Sequence, residues 1–116
     1  MNTIKHIFYA LKNSLNGLSV VFKNEVAFRQ DLLIVVIGYI VLPFLHVGML
    51  AKCLLGFSLV TILIAELVNT AIENVVDRIG HEYHELSKNA KDIGSAIVMV
   101  TLTAVFCLWG CVILLA

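Results

Sequence analysis

Four polar side chains recur at helical spacing within a strongly apolar stretch of the sequence: Glu66, Asn69, Glu73 and Asp77. At about 100° per residue the three carboxylates fall within about 40° of one another on a helix, with Asn69 about 60° to one side. We call this face the acidic stripe. A carboxylate in hydrocarbon is costly unless it is partnered or hydrated, so acids at such positions usually mark function rather than packing.

The chemistry that suits the acidic stripe is phosphoryl transfer. Two carboxylates beside an amide offer the hard oxygen ligands that Mg²⁺ with bound phosphate prefers, and Glu25 adds a third ahead of the first apolar run. Lys91 falls in the first turns of a later helix, where free N–H groups and the helix dipole attract anions. A spare acid, metal-binding acids and a phosphate-binding lysine together predict a kinase-like site.

The same sequence lacks the common nucleotide-binding motifs. Neither GxxxxGK[ST] nor GxGxxG occurs in it. We therefore expect a nucleotide site of a different kind, and an acceptor reachable from the bilayer, for which a lipid hydroxyl is the obvious candidate.

Composition places these residues in a membrane protein. The chain has 116 residues, of which 60% are apolar and only 14% charged, and its mean hydropathy is +0.98. A soluble domain of this size needs more polar residues to cover its surface. The net charge of +0 and the lack of a basic stripe argue against a nucleic-acid partner. The cysteines lie in apolar runs and are predicted to be small buried side chains: Cys53, Cys107 and Cys111.

Three apolar runs of about 20 residues or more are long enough to cross a bilayer as helices. The segment before them has apolar residues at three- and four-residue steps and a basic opposite face, which is typical of an amphipathic helix in the membrane plane. We predict an all-α membrane protein of one domain, 1–116, with a surface helix over 1–29 and transmembrane helices over 31–51, 53–79 and 89–116.

Basic residues predict the orientation. Seven of the eight precede the first span or lie between the second and third, and only Lys52 lies on the other side: Lys5, Lys12, Lys23, Arg29, Arg78, Lys88 and Lys91. By the positive-inside rule the N-terminus is cytoplasmic and the C-terminus is outside.

Three single residues carry expectations about the helices. Pro43 is predicted to kink the first span. Gly80 is predicted to end the second span with a positive φ. Trp109, near the C-terminal end, is predicted to anchor the third span at the outer interface.

Several segments together resemble a known family. The stretch Glu66-x-x-Asn-Thr-Ala-Ile-Glu-x-x-x-Asp77, followed by Glu82-Tyr-His and Ala90-Lys-Asp-Ile-Gly-Ser-Ala96, is similar to the small bacterial integral-membrane diacylglycerol kinases. Asn24-Glu-Val-Ala-Phe-Arg-Gln30 matches the family's segment ahead of the first span. The resemblance covers essentially the whole chain and favours the Gram-negative diacylglycerol kinase branch over the Gram-positive undecaprenol kinases.

The resemblance implies a homotrimer in the bacterial inner membrane, with sites shared between subunits, that phosphorylates diacylglycerol to phosphatidic acid with ATP and Mg²⁺. Glu66 would be the general base, Asn69 would bond at the phosphate and metal site, and Lys91 would bind the transferring phosphate. Glu25 and Glu73 would hold Mg²⁺ on the nucleotide. The remaining implied contacts are Asp77, His84, Glu85 and Asp92 to ATP, and Ser95 with Glu66 to the lipid.

The sequence departs from the family's pattern near its N-terminus. His6 and Asn13 stand where the family usually has an arginine and an aromatic residue, and Lys5 or Tyr9 are candidate substitutes. Asp31 replaces a commoner glutamate, a change expected to be harmless.

Three other functions remain open at this stage. The acceptor could be undecaprenol. The acids could instead form a proton or cation pathway without catalysis, although between Cys53 and Ala65 only Ser58 and Thr61 are polar. The chain could also be a structural subunit in which the acids hydrogen-bond neighbouring helices.

Overall fold

The computed structural model describes residues 2–115, and within them the chain is almost entirely helical. An N-terminal helix is followed by three long apolar helices, which confirms the predicted fold class of an all-α membrane protein. The elements are α1 (Thr3–Asn24), α2 (Val26–Val41) with a 3₁₀ turn (Leu42–Phe44), α3 (Met49–Ile79) and α4 (Glu85–Leu115).

Helix α1 is amphipathic and lies largely apart from the others. The side chain of Asn2 caps it by accepting a hydrogen bond from the Ile4 N–H at 2.8 Å. Its apolar stripe is exposed, and Val21 is its one buried residue. An apolar stripe without a protein partner suits the surface of a membrane.

The junction between α1 and α2 differs from the predicted boundary. The sequence suggested a surface helix to residue 29, whereas α1 ends at Asn24 and α2 begins at Val26. Glu25 alone is extended there, with φ −113° and ψ 110°. The guanidinium of Arg29 donates to the carbonyls of Phe22 and Lys23 at 2.6 and 3.1 Å, so it satisfies the free C-terminal end of α1.

Helix α3 is the centre of the chain because it packs against both α2 and α4. Their shared core contains Val35 from α2, Leu59 and Ile62 from α3, and Val105 from α4. Most other large apolar side chains face outward, as expected for helices surrounded by lipid or by further protein.

Close approaches between helices use small residues and a few polar bonds. Gly38 on α2 leaves room for the side chain of Leu59, whose methyl carbons come within 2.8 Å of where a Cβ would stand. One turn away, the Tyr39 hydroxyl donates to the Gly56 carbonyl at 2.8 Å. These contacts fix α2 against α3, and hence the position of the acids that the two helices carry.

Several expectations about single residues were wrong. Pro43 kinks no helix, because α2 has already become a 3₁₀ turn. Trp109 is not a free interfacial anchor, since its indole N–H donates to Ser58 Oγ at 3.0 Å between α4 and α3. Gly80 does end α3, but with an extended φ of 169° that any residue adopts.

The prediction that the cysteines are buried was also wrong. All three are free and exposed in the part of the chain that the structure describes: Cys53, Cys107 and Cys111. Their helix faces point away from the three-helix core, where this chain supplies nothing to cover them.

Candidate active site

The acidic stripe lies along α3 and becomes more exposed toward the end of the helix that joins α4. Glu66 is buried, at 5% exposure, whereas Asn69, Glu73 and Asp77 are half-buried. The Asn69 amide donates to Glu73 Oε1 at 3.3 Å, one turn along the same face. The structure therefore presents the stripe as the helical face that the spacing predicts.

Glu66 has a partner that sequence reasoning missed. Asp31 of α2 is 8% exposed, and its carboxyl lies within hydrogen-bonding distance of the Glu66 carboxyl. Its Oδ2 atom is buried and has no hydrogen-bond partner among residues 2–115. The signal was available, because Asp31 is an acid at the edge of an apolar run, a position that by default indicates function.

Asn69 is held against α4 by the absence of a side chain. Gly94 of α4 is buried, and a Cβ built on it would collide with Asn69 Oδ1. The same Oδ1 atom is buried and accepts no hydrogen bond from the described residues. Thr70 Oγ1, one turn beyond Glu66, is likewise buried and unpartnered within this range. Unsatisfied polar atoms that gather at one level of a protein indicate a place prepared for a ligand.

Lys91 joins the stripe from α4. Its Nζ atom lies 2.6 Å from Asp77 Oδ1, and it is close enough to Glu73 for the two charges to attract. Lys91 and Asp77 both remain partly exposed, at 44% and 41% of their side chains. The lysine predicted to bind phosphate is thus beside the acids, where a ligand can still reach it.

Glu25 approaches the same acids from the corner between α1 and α2. It is half-buried and near enough to Glu66 for their negative charges to repel. Within residues 2–115 no group of three or more His, Cys, Asp or Glu side chains is arranged to hold a metal ion unaided. A protein that binds Mg²⁺ together with a nucleotide commonly supplies only one or two carboxylates, because phosphates and water complete the shell.

Two depressions flank these charged groups. One, of about 560 Å³, lies at the turn between α3 and α4 and is lined by His84, Lys88, Lys91 and Asp92 among others. In it Lys88 Nζ contacts Asp92 Oδ2 at 2.7 Å, and His84 Nδ1 accepts from the Leu86 N–H at the start of α4. Glu85, also predicted to contact nucleotide, is the first residue of α4 but does not line this recess.

The other depression is an open groove of about 820 Å³ beside α3 and α4. Glu66, Asn69 and Ser95 line its polar end, and the remaining lining is largely apolar, including Val98, Met99, Leu102 and Phe106. A groove of this kind fits a molecule with a long apolar part and one polar group. The three residues predicted to act at the acceptor therefore lie together.

Comparison with known proteins agrees with this arrangement. A sequence model of the family described as prokaryotic diacylglycerol kinase matches residues 12–113. The chain belongs to this family. It is therefore an enzyme, a kinase, and the resemblance predicted from its motifs is confirmed.

Individual relatives agree in name and in length. The diacylglycerol kinase of Escherichia coli K12 is 42% identical over 93% of this chain and 88% of its own length. That of Haemophilus influenzae is 42% identical over 92% and 91%, and that of Pseudomonas aeruginosa 43% over 96% and 90%. All three come from Gram-negative bacteria, so the predicted branch of the family is also confirmed.

Proposed function

We propose that this protein transfers the γ-phosphate of ATP to the hydroxyl of diacylglycerol, which yields phosphatidic acid for phospholipid metabolism. The observation that carries the proposal is the groove in which Glu66, Asn69 and Ser95 form the polar end of an apolar channel. It offers a carboxylate to a hydroxyl whose acyl chains stay in hydrocarbon. The family and the relatives' names support the same reaction.

Glu66 acts as the general base in this proposal. The O–H bond of the acceptor breaks as Glu66 takes the proton, and the freed oxygen pair forms the new bond to the γ-phosphorus. The bond from that phosphorus to its bridging oxygen breaks, and ADP leaves with the electron pair. Ser95, at the same end of the groove, binds the acceptor's polar head.

Charge on the transferring phosphate is met from α4 and from the end of α3. Lys91 exchanges Asp77 for the phosphate, since an exposed ion pair of this kind is weak and easily replaced. The adjoining recess receives the rest of the nucleotide, with His84 and Asp92 in its lining and Asp77 and Glu85 at its rim. Asn69 bonds to the phosphate through its amide.

The oxygen-rich side chains at this level fit Mg²⁺. Glu25 and Glu73 carry the carboxylates that would hold it, and the buried, unpartnered Oδ1 of Asn69 supplies a further oxygen at the same level. When bound, Mg²⁺ neutralises charge on the nucleotide phosphates.

We further propose a homotrimer in the bacterial inner membrane, with the N-terminus in the cytoplasm. The groove beside Glu66 is open on one side, and α2 and α4 expose apolar faces that a neighbouring subunit can cover. Three helices alone enclose little of a nucleotide and a lipid, so sharing of sites between subunits follows. The basic residues that cluster at the site's end of the bundle support a cytoplasmic site.

The proposed alternatives differ in what they need from the structure. A proton or cation pathway needs polar groups that continue along α3 beyond Glu66. Ser58 and Thr61 instead donate to carbonyls of their own helix, at 2.6 and 2.5 Å, and Leu59 and Ile62 fill the core between them and Glu66. This arrangement favours catalysis at Glu66 over conduction.

The deciding experiment is a side-by-side kinase assay. Protein purified in detergent is given ATP, Mg²⁺ and either diacylglycerol or undecaprenol in mixed micelles, and the phosphorylated lipid is counted. We expect phosphatidic acid to dominate. Phosphorylation of undecaprenol alone would overturn the acceptor, and no transfer to either lipid, with acid-dependent ion flux in liposomes, would overturn the kinase.

A further inference from the structure

The contact between Asp31 and Glu66 assigns Asp31 a task in the reaction. The two carboxyls come from different helices, α2 and α3, and lie within hydrogen-bonding distance of each other. Both side chains are more than nine-tenths buried, at 8% and 5% exposure. Resting on the proposed kinase function, we propose that Asp31 is a positioning residue that holds the Glu66 carboxylate in the orientation needed to accept the lipid's proton.

A hydrogen bond between two carboxyl groups requires one proton between them. Two ionised carboxylates in contact and out of water repel strongly, whereas a pair with a single proton carries one negative charge and a strong O–H···O⁻ bond. Asp31 donates this bond to one oxygen of Glu66. The other oxygen of Glu66 is then directed to the groove that its side chain lines.

No basic residue is in position to replace Asp31 in this role. The charged groups that act on Glu66 are Asp31, Glu73 and Glu25, all of them acidic. On α4, Ser95 in the groove is uncharged, and Lys91 is engaged with Asp77. Arg29 of α2 points to the carbonyls at the end of α1. A carboxyl O–H is therefore the donor that this surrounding provides.

The second buried oxygen of Asp31 supports a role beyond packing. Oδ2 is buried and has no hydrogen-bond partner in the part of the chain that the structure describes. An apolar side chain at this place would leave no polar atom unsatisfied and would be the more stable choice if packing were the whole purpose. The chain keeps a carboxyl where only the contact with Glu66 gives it a use.

Three variants separate positioning from packing. Asp31→Asn keeps a side-chain N–H donor of the same size, so kcat should stay within about tenfold of the wild type. Asp31→Leu fills similar space without a donor, so kcat should fall about 100-fold, the cost expected of a misplaced catalytic group, with KM for ATP unchanged. Val35→Ala, one turn along the same buried face of α2, is the control and should lower stability without this change in kcat.

Infrared spectroscopy tests the pair without reference to turnover. The wild type in lipid should show the carbonyl band of a protonated carboxyl near neutral pH, and the band should be lost in both Asp31→Asn and Glu66→Gln. Persistence of the band in both variants, or equal kcat for Asp31→Leu and Asp31→Asn, would overturn the inference. Absence of all lipid phosphorylation by the wild type would overturn the proposed function, and the catalytic role with it, whatever the spectra show.

Discussion

The Lys91 ammonium of α4 lies 2.6 Å from the Oδ1 atom of Asp77 on α3. The pair joins the two helices just beyond Glu73, at the boundary between the nucleotide recess and the acidic stripe. Because both side chains are more than two-fifths exposed, the contact adds little to the stability of the fold. It keeps the lysine at the site and leaves it free to change partners.

Replacing Lys91 should therefore harm catalysis much more than folding. Lys91→Ala is expected to lower kcat about 100- to 1,000-fold, as for other groups that stabilise transition-state charge, while thermal stability stays close to the wild type. Lys91→Arg should recover part of the loss. Arg78→Ala removes a positive charge at the same end of α3 and serves as the control in a phosphatidic-acid assay. Equal losses in the two alanine variants would show that only general charge matters.

The close approach of Gly94 to Asn69 predicts a second effect. A methyl group in Gly94→Ala would displace the Asn69 amide from its place beside Glu73. We expect kcat/KM for ATP to fall by about tenfold or more, although alanine is the better helix former by about 1 kcal/mol.

Gly110→Ala is the matched control, because it lies on the same helix with nothing within 4 Å of its Cβ position. It should leave turnover unchanged and stabilise α4 slightly. Similar kinetics for the two glycine variants would contradict the proposed role of Asn69 at the phosphate.

Glu66→Gln tests the base itself. Removing a general base commonly costs about 100- to 10,000-fold in rate, and the amide cannot take the hydroxyl proton. Binding of a non-hydrolysable ATP analogue, followed by calorimetry, should change by no more than a few-fold because Glu66 lies at the lipid end of the site. Turnover near the wild-type rate would show that another group deprotonates the acceptor.

The bond from Trp109 to Ser58 predicts a stability effect. Trp109→Phe and Ser58→Ala each remove the 3.0 Å contact between α4 and α3. A double-mutant cycle in detergent unfolding should give a coupling of about 0.6 kcal/mol, typical of polar bonds between membrane helices. A coupling near zero would mean that the indole packs against α3 without a functional hydrogen bond.

Much of the fold follows from local patterns that the sequence displays directly. The apolar runs predict the long helices, and the spacing of Glu66, Asn69 and Glu73 predicts that they share a face, since both depend only on helical periodicity. What escaped prediction depends on contacts between helices. Asp31 was judged harmless because its residue type alone does not show that α2 places it against Glu66.

Helix ends and single outward-facing residues were also hard to predict. Gly80 ends α3, but its backbone is extended because the chain simply leaves the helix without the left-handed turn that glycine often provides. Trp109 was assigned to an interface by its position along α4. Its partner, Ser58, lies 51 residues earlier in the chain, a separation that no local pattern reveals.

The corner at Glu25 gives the membrane itself a part in this site. One extended residue connects α1 to α2, and Arg29 ties the end of α1 to α2 on the following turn. The bilayer surface that receives the apolar stripe of α1 therefore also sets the height of Glu25 relative to the acids of α3. Lipid thickness and headgroup packing become variables of catalysis, so an enzyme built this way reads the state of the membrane whose composition it changes.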